Sequence, residues 1–199
     1  MIAAIENAII DRISTAAASS PGFGYGINEV KSYGGQLDDD IGRVVRSFPA
    51  VWVTFAGSGK PRPMANSRQK WMTPATFVTM VAARNVRGER ETRQGVAVGG
   101  VMIEVGAYQM LQDISLLLIN SDLGLAIDYL KPGAIRTLYN TKLNGQALAV
   151  FAREWHTEFV ETQPREAIDP TSGNWLSMGI NYYQPNSGIS DLSDNISLT

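Results

Sequence analysis

The 199-residue chain contains no cysteine and a single histidine, His156. Without thiols there is neither a disulfide framework nor a thiolate metal site, and one imidazole leaves little for a transition-metal centre. Long apolar runs are missing too. No stretch of eighteen apolar residues occurs, which predicts that nothing spans a membrane. The N-terminal "MIAAIENAIIDRISTAAA" is apolar enough to invite a signal-peptide reading. It lacks a basic n-region, however, and Glu6 and Asp11 interrupt it, so it reads as a mature helix. Net charge is scarce as well: −2 overall argues against a dedicated nucleic-acid binder.

What is present is length enough for one domain, which buries roughly 70% of its unfolded surface, and an uneven distribution of charge. From Gly57 to Gly95 eight basic residues (Lys60, Arg62, Arg68, Lys70, Arg84, Arg87, Arg90, Arg93) face two acids, Glu89 and Glu91, leaving −8 for the remainder. From Glu158 onward six acids face one base, Arg165. A basic middle and an acidic end favour self-association or docking between unlike surfaces.

Periodicity organises the chain. Ile2, Ile5, Ile9 and Ile13 recur at helical spacing and predict an amphipathic helix over about 2–18. "NEVKSYGG" reads as a short strand into a turn, and "LDDDIGRVVRSFP" as a short helix capped by an aspartate and stopped before Pro49. "AVWVTFAG" and "ATFVTMVAA" have the β-branched and aromatic content of strands, and the sixteen residues 58–73 that lie between them, "SGKPRPMANSRQKWMT", read as a long basic connection. Ala107, Met110, Leu111, Ile114, Leu117 and Leu118 form the strongest helical stripe, a core helix. "KPGAIRTLYN" gives a turn and a strand. "QALAVFAREWHTEFVET" alternates but also spaces Phe151, Trp155 and Phe159 in a helix-compatible way; its β-forming content favours a strand. The order predicts an α+β fold, a small mixed or antiparallel sheet flanked by helices, over residues 1–168. Residues 169–199, polar, acidic and broken by Gly and Pro, read as an extended C-terminal arm.

Catalytic and cofactor motifs fail on inspection. "GSGKP" lacks a Walker loop's first glycine, since Thr54 stands there, and has Pro61 where a magnesium-binding hydroxyl is needed. "GFGYG" follows a helix rather than a strand, so the dinucleotide reading lacks its context. Asp38, Asp39 and Asp40 cannot all point at one cation, and a helix cap explains one of them. Glu154, His156 and Glu158 share one strand face, but no motif places a nucleophile beside them. No enzyme activity, metal or cofactor is expected. Trp52 reads as core; Trp71, between basic neighbours, reads as an interface anchor. In "ARNVRGERETRQG" arginines fall at every third position, with Gly88 and Gly95 bracketing most of the run, which reads as a loop. Arginine rather than lysine suits bidentate contact with carboxylates on a neighbouring molecule. The candidate interface set is therefore Lys60, Arg62, Arg68, Lys70, Trp71, Arg84, Arg87, Arg90 and Arg93.

As an ordered set, "VKSYGGQL", "PAVWVTFAG", "ARNVRGERETRQG", "GAYQMLQDISLLL", "KPGAIRTLYN" and "ALAVFAREWHTEF" resemble the Mu-type phage tail terminator family over residues 1–160. The resemblance implies an α+β subunit assembling as a homo-oligomeric ring, a hexamer, on the head-proximal end of the tail tube. Such a ring stops tube polymerisation and offers a surface to the head connector. It implies the tail tube protein and a neck protein as partners, phage DNA passing through the lumen without sequence-specific binding, and no cofactor. Its location would be the tail-neck region of the virion, with assembly in the host cytoplasm. The alternatives are another neck component, such as a head-closure protein, and a nucleic-acid-binding protein using the basic middle.

Overall fold

The computed structural model describes residues 1–19, 22–35, 47–64, 67–85, 89–98, 101–143, 146–162, 177–183 and 190–197. The chain divides into two units, Met1–Thr162 and Gln163–Thr199. In the first, the order is α1 (Ile2–Ala18), β1 (Glu29–Ser32), β2 (Ala50–Ser58), β3 (Arg62–Met64), β4 (Ser67–Asn85), α2 (Glu89–Gln94), β5 (Val96–Val98), β6 (Val101–Glu104), α3 (Ala107–Leu118), β7 (Lys131–Leu143) and β8 (Gln146–Thr162). In the second, β9 (Ser177–Tyr183) and β10 (Ser190–Ser197) pair antiparallel.

Six strands form one sheet in the order β1, β2, β4, β8, β7, with β3 paired to β4. The β1–β2 pair is parallel and the other pairs are antiparallel, so the sheet is mixed, and with its helices it makes the expected α+β fold. Both long helices serve the same face of this sheet. Ile5, Ile9 and Ile13 of α1 and Met110, Leu111, Ile114 and Leu118 of α3 bury against Val51, Val53, Phe77, Val81, Phe151, Trp155 and Phe159. Each fully buried isoleucine is worth about 2 kcal/mol of apolar transfer. The helical stripes read from the sequence are the buried ones except at Ile2, which is exposed at the start of α1, and Leu117, which is half-buried at the margin.

The opposite face is not uniform along its length. Toward the end of β4 and the start of β8 it holds a second core of Ala50, Trp52, Met80, Ala82, Leu148 and Val150. Both faces are buried there, and residues 79–83 and 147–152 are consecutively buried. Farther along β8 the pattern alternates: Trp155, Thr157 and Phe159 are buried while His156 and Val160 are exposed. That change explains why "QALAVFAREWHTEFVET" shows alternation in only part of its length.

Two sequence expectations are corrected. The sixteen-residue basic connection is mostly strand, because β3 and the first residues of β4 occupy it. Its Lys, Arg, Gln and Pro content hid the strands, since this end of the sheet has a solvent face. Pro74 sits inside β4 without disrupting it: its carbonyl accepts from Gly59 N at 3.2 Å. In a strand the N and C=O of one residue point the same way, so the missing N–H faces the break where β2 ends and β3 begins. The arginine-rich stretch is likewise not all loop. Residues 89–94 form α2, made largely of good helix formers and stopped by Gly95 at φ +78°. The expected short helix over 37–48, with Asp38, Asp39 and Asp40, falls almost wholly outside the described residues.

Candidate protein interfaces

The β-strands decide where the candidate side chains go. Arg62, Lys70 and Trp71 lie where β3, β4 and the end of β8 run together, with Arg62 opposite Met72, Trp71 opposite Pro63 and Glu161, and Lys70 opposite Thr162. Lys60 is exposed in the link between β2 and β3, and Arg68 lies on β4 nearby. Trp71 is 41% exposed, an unusual position for an indole that no core requires. Arg62 donates from Nη2 to Glu158 Oε2 at 2.7 Å, so it is already paired, while Lys60 and Lys70 stand exposed.

Arg84 occupies the far end of the same strand, opposite Leu148. It is fourteen residues from Lys70, roughly 45 Å at about 3.3 Å per residue. Arg90 and Arg93 follow on α2, which is held down by buried Thr92, whose hydroxyl donates to Ala147 O at 3.3 Å. Arg90 is exposed and its Nε donates to Gln94 Oε1 at 3.0 Å; Arg93 is half-buried. Arg87 lies outside the described residues. The basic middle is therefore two groups at opposite ends of one long strand, Lys60, Arg62, Lys70 and Trp71 at one end and Arg84, Arg90 and Arg93 at the other.

A close backbone approach sets the second group. A Cβ at Gly106 would overlap Gly95 N and lie 2.5 Å from Arg93 O, so the chain leaves α2, makes the β5–β6 ribbon and returns to start α3 against the end of α2. The first group borders a charged ribbon on the face opposite the helices. Arg136 Nε donates to Glu154 Oε1 at 3.2 Å, and Lys131 Nζ donates to Asp128 Oδ2 at 2.6 Å, which raises the lysine above its ordinary value and lowers the aspartate, the latter helped by Tyr129 N–H. His156 Nδ1 lies 3.0 Å from Thr76 Oγ1 and its Nε2 3.9 Å from Glu154. Glu154 and Glu158 each have an arginine, so the strand-face cluster is a set of cross-strand ion pairs. Among the described residues no group of three or more candidate ligands could hold a metal ion.

The family model described as Bacteriophage Mu, Gp37 matches residues 1–160, nearly all of the first unit. The chain belongs to that family. The Gp37 match covers the same residues as the resemblance read from the ordered segments, and it makes the chain a virion-associated member of a phage structural protein family. No curated protein matches the chain. Among the described residues no helix is long and apolar enough to cross a membrane.

One surface escaped the sequence reading. Tyr108, Leu111 and Leu116 of α3, Ile135 of β7 and Arg153 of β8 line an open groove of about 340 Å³. Leu116 is 70% exposed and Ile135 51%. A signal for it existed: Leu116 to Ile119 are four consecutive apolar residues, more than one face of a helix can bury.

Proposed function

We propose that this Gp37-family chain caps the head-proximal end of a phage tail tube as a ring, stops tube polymerisation and presents the docking surface for the neck. The observation that carries this reading is the separation of the two exposed basic groups along β4. A cap must meet the last tube ring with one surface and the neck with another. A rigid strand with a Trp71-centred group at one end and an arginine group at the other supplies two such surfaces, far enough apart to contact two proteins. Arginine suits carboxylate-bearing partners, and an exposed tryptophan suits a desolvated anchor point. The 169–199 arm, acidic and polar, is proposed as a further docking element that acts on contact with a partner.

The test is electron microscopy of tails assembled without this protein. Tubes of uncontrolled length, or tails unable to join heads, are expected. Tails of fixed length normally joined to heads would sink the reading. Copies found on DNA-filled heads and never on isolated tails would instead assign the chain to the head side of the neck. At residue level, Arg87→Ala with Arg90→Ala should weaken assembly or docking while the subunit stays folded; unchanged docking would make the run a solvated surface.

A further inference from the structure

The helix layer does not cover the whole sheet. α1 packs over β1 and β2, and α3 over β4 and β8. A helix about 10 Å wide covers about two strands spaced about 4.8 Å apart, so α1 and α3 serve four strands of the β1, β2, β4, β8, β7 path and leave the fifth, which only the short α2 approaches. That strand is β7, one of the two edges of the sheet. Its residues 134–138 are all exposed, and Ile135, opposite Arg153, opens into the groove beside Leu116 and Tyr108.

Arg153 supplies the charge of this groove. Its Nη1 donates to Ser115 Oγ at 2.5 Å and its guanidinium lies 5.2 Å from the Trp155 ring centroid. Its Nε is buried with no hydrogen-bond partner, and Arg153 has no acidic partner among the described residues. The opposite edge is β1. On the same helix-covered face there, the Glu6 carboxylate of α1 accepts from the Ser32 hydroxyl and has no basic partner among the described residues. Ile2, 38% exposed, lies one helical turn before Glu6 on α1, and half-buried Val30 lies two residues before Ser32 on β1. One edge thus carries an uncompensated cation in an apolar groove, and the other an uncompensated anion beside apolar side chains.

We infer that the strip between α3 and β7 is a socket for a second copy of this chain, entered by the α1–β1 edge so that Arg153 of one copy meets Glu6 of the next. The two surfaces differ and lie at opposite edges, so the contact is head-to-tail, the kind that closes rings. It also covers the β7 edge, whose exposed backbone would otherwise template unwanted pairing. The assignment rests on the ring reading proposed above and names the surfaces that would build the ring.

Native mass spectrometry of the full chain tests it. The wild type should form closed oligomers, and Leu116→Asp and Glu6→Arg should each weaken association by about tenfold or more. Combining Glu6→Arg with Arg153→Glu should restore association relative to either single variant. Because Leu116 is highly exposed, its variant keeps the fold and decides the matter even where Arg153→Glu does not fold. Variants that assemble like the wild type would overturn the socket while leaving the ring intact. A wild type monomeric at every soluble concentration, with no ring on tail ends, would overturn socket and ring together.

Discussion

Thr79 and Trp155 form a polar pair in the middle of the core, and replacing Thr79 with Val tests how the sheet is held beneath the groove. Both side chains are fully buried, and the indole N–H donates to Thr79 Oγ1 at 3.0 Å. Valine keeps the shape of threonine, so no cavity opens; what is lost is the acceptor. A buried donor left unpaired costs about 1–3 kcal/mol, against which the added methyl returns about 0.8 kcal/mol. The net loss of about 0.2–2.2 kcal/mol, centred on about 1, should lower Tm by roughly 2–4 °C, and by up to about 9 °C at the upper end, in a chain of this length. The effect should reach the surface, because the Trp155 ring also carries the Arg153 guanidinium. Calorimetry of Thr79→Val, Trp155→Phe and the double variant is the assay, with the two changes expected to couple by about 1 kcal/mol. A Thr79→Val protein as stable as the wild type, or strictly additive variants, would refute the assignment of this hydrogen bond to core stability.

Gly106→Ala should destabilise by about 2 kcal/mol or more, because its Cβ meets the backbone of Gly95 and Arg93 rather than a movable side chain; unfolding in urea measures it. Trp71→Ala should leave Tm within about 3 °C, since the ring is 41% exposed, yet reduce binding to tails by roughly 30-fold if it is an anchor. Pull-down on purified tails measures the second effect, and unchanged binding by the folded Trp71→Ala protein would contradict the interface role. For pH, the Trp52 indole and then Lys31 hold Glu29 below its ordinary value. A carboxyl depressed in the folded state stabilises above its unfolded pKa, about 4.3, and that stability is lost as pH falls through the folded value. Glu29→Gln should therefore lower Tm at neutral pH and flatten the fall of Tm below about pH 4.5; parallel Tm curves for the two proteins would disprove the linkage.

Elements with one buried face are legible in the sequence. α1 and α3 bury one stripe each, so the 3.6-residue repeat of Ile5, Ile9 and Ile13, or of Met110, Ile114 and Leu118, names the helix and the face together. Trp52 is likewise legible as core, lying in a β-branched run that buries both faces. Strands with a solvent face and edge character are not. β3 and the start of β4 are written in Lys, Arg, Gln and Pro, residues that ordinarily mark a link, and they are strands because β3 pairs with β4 and β4 from Lys70 onward pairs with β8.

Composition and periodicity thus determined the class of fold, the two core helices, the central strands, the segregation of charge and the lack of catalytic motifs. These are local properties, carried by residues near one another in the chain. Only the tertiary structure decided that the eight described interface candidates, spanning 34 positions from Lys60 to Arg93, divide between the two ends of β4. It alone brought Leu116, Ile135 and Arg153 around one groove and placed Glu6 at the opposite edge of the sheet. A strand's length converts nearness in sequence into distance, and strand pairing converts distance in sequence into contact. Neither conversion can be read from spacing.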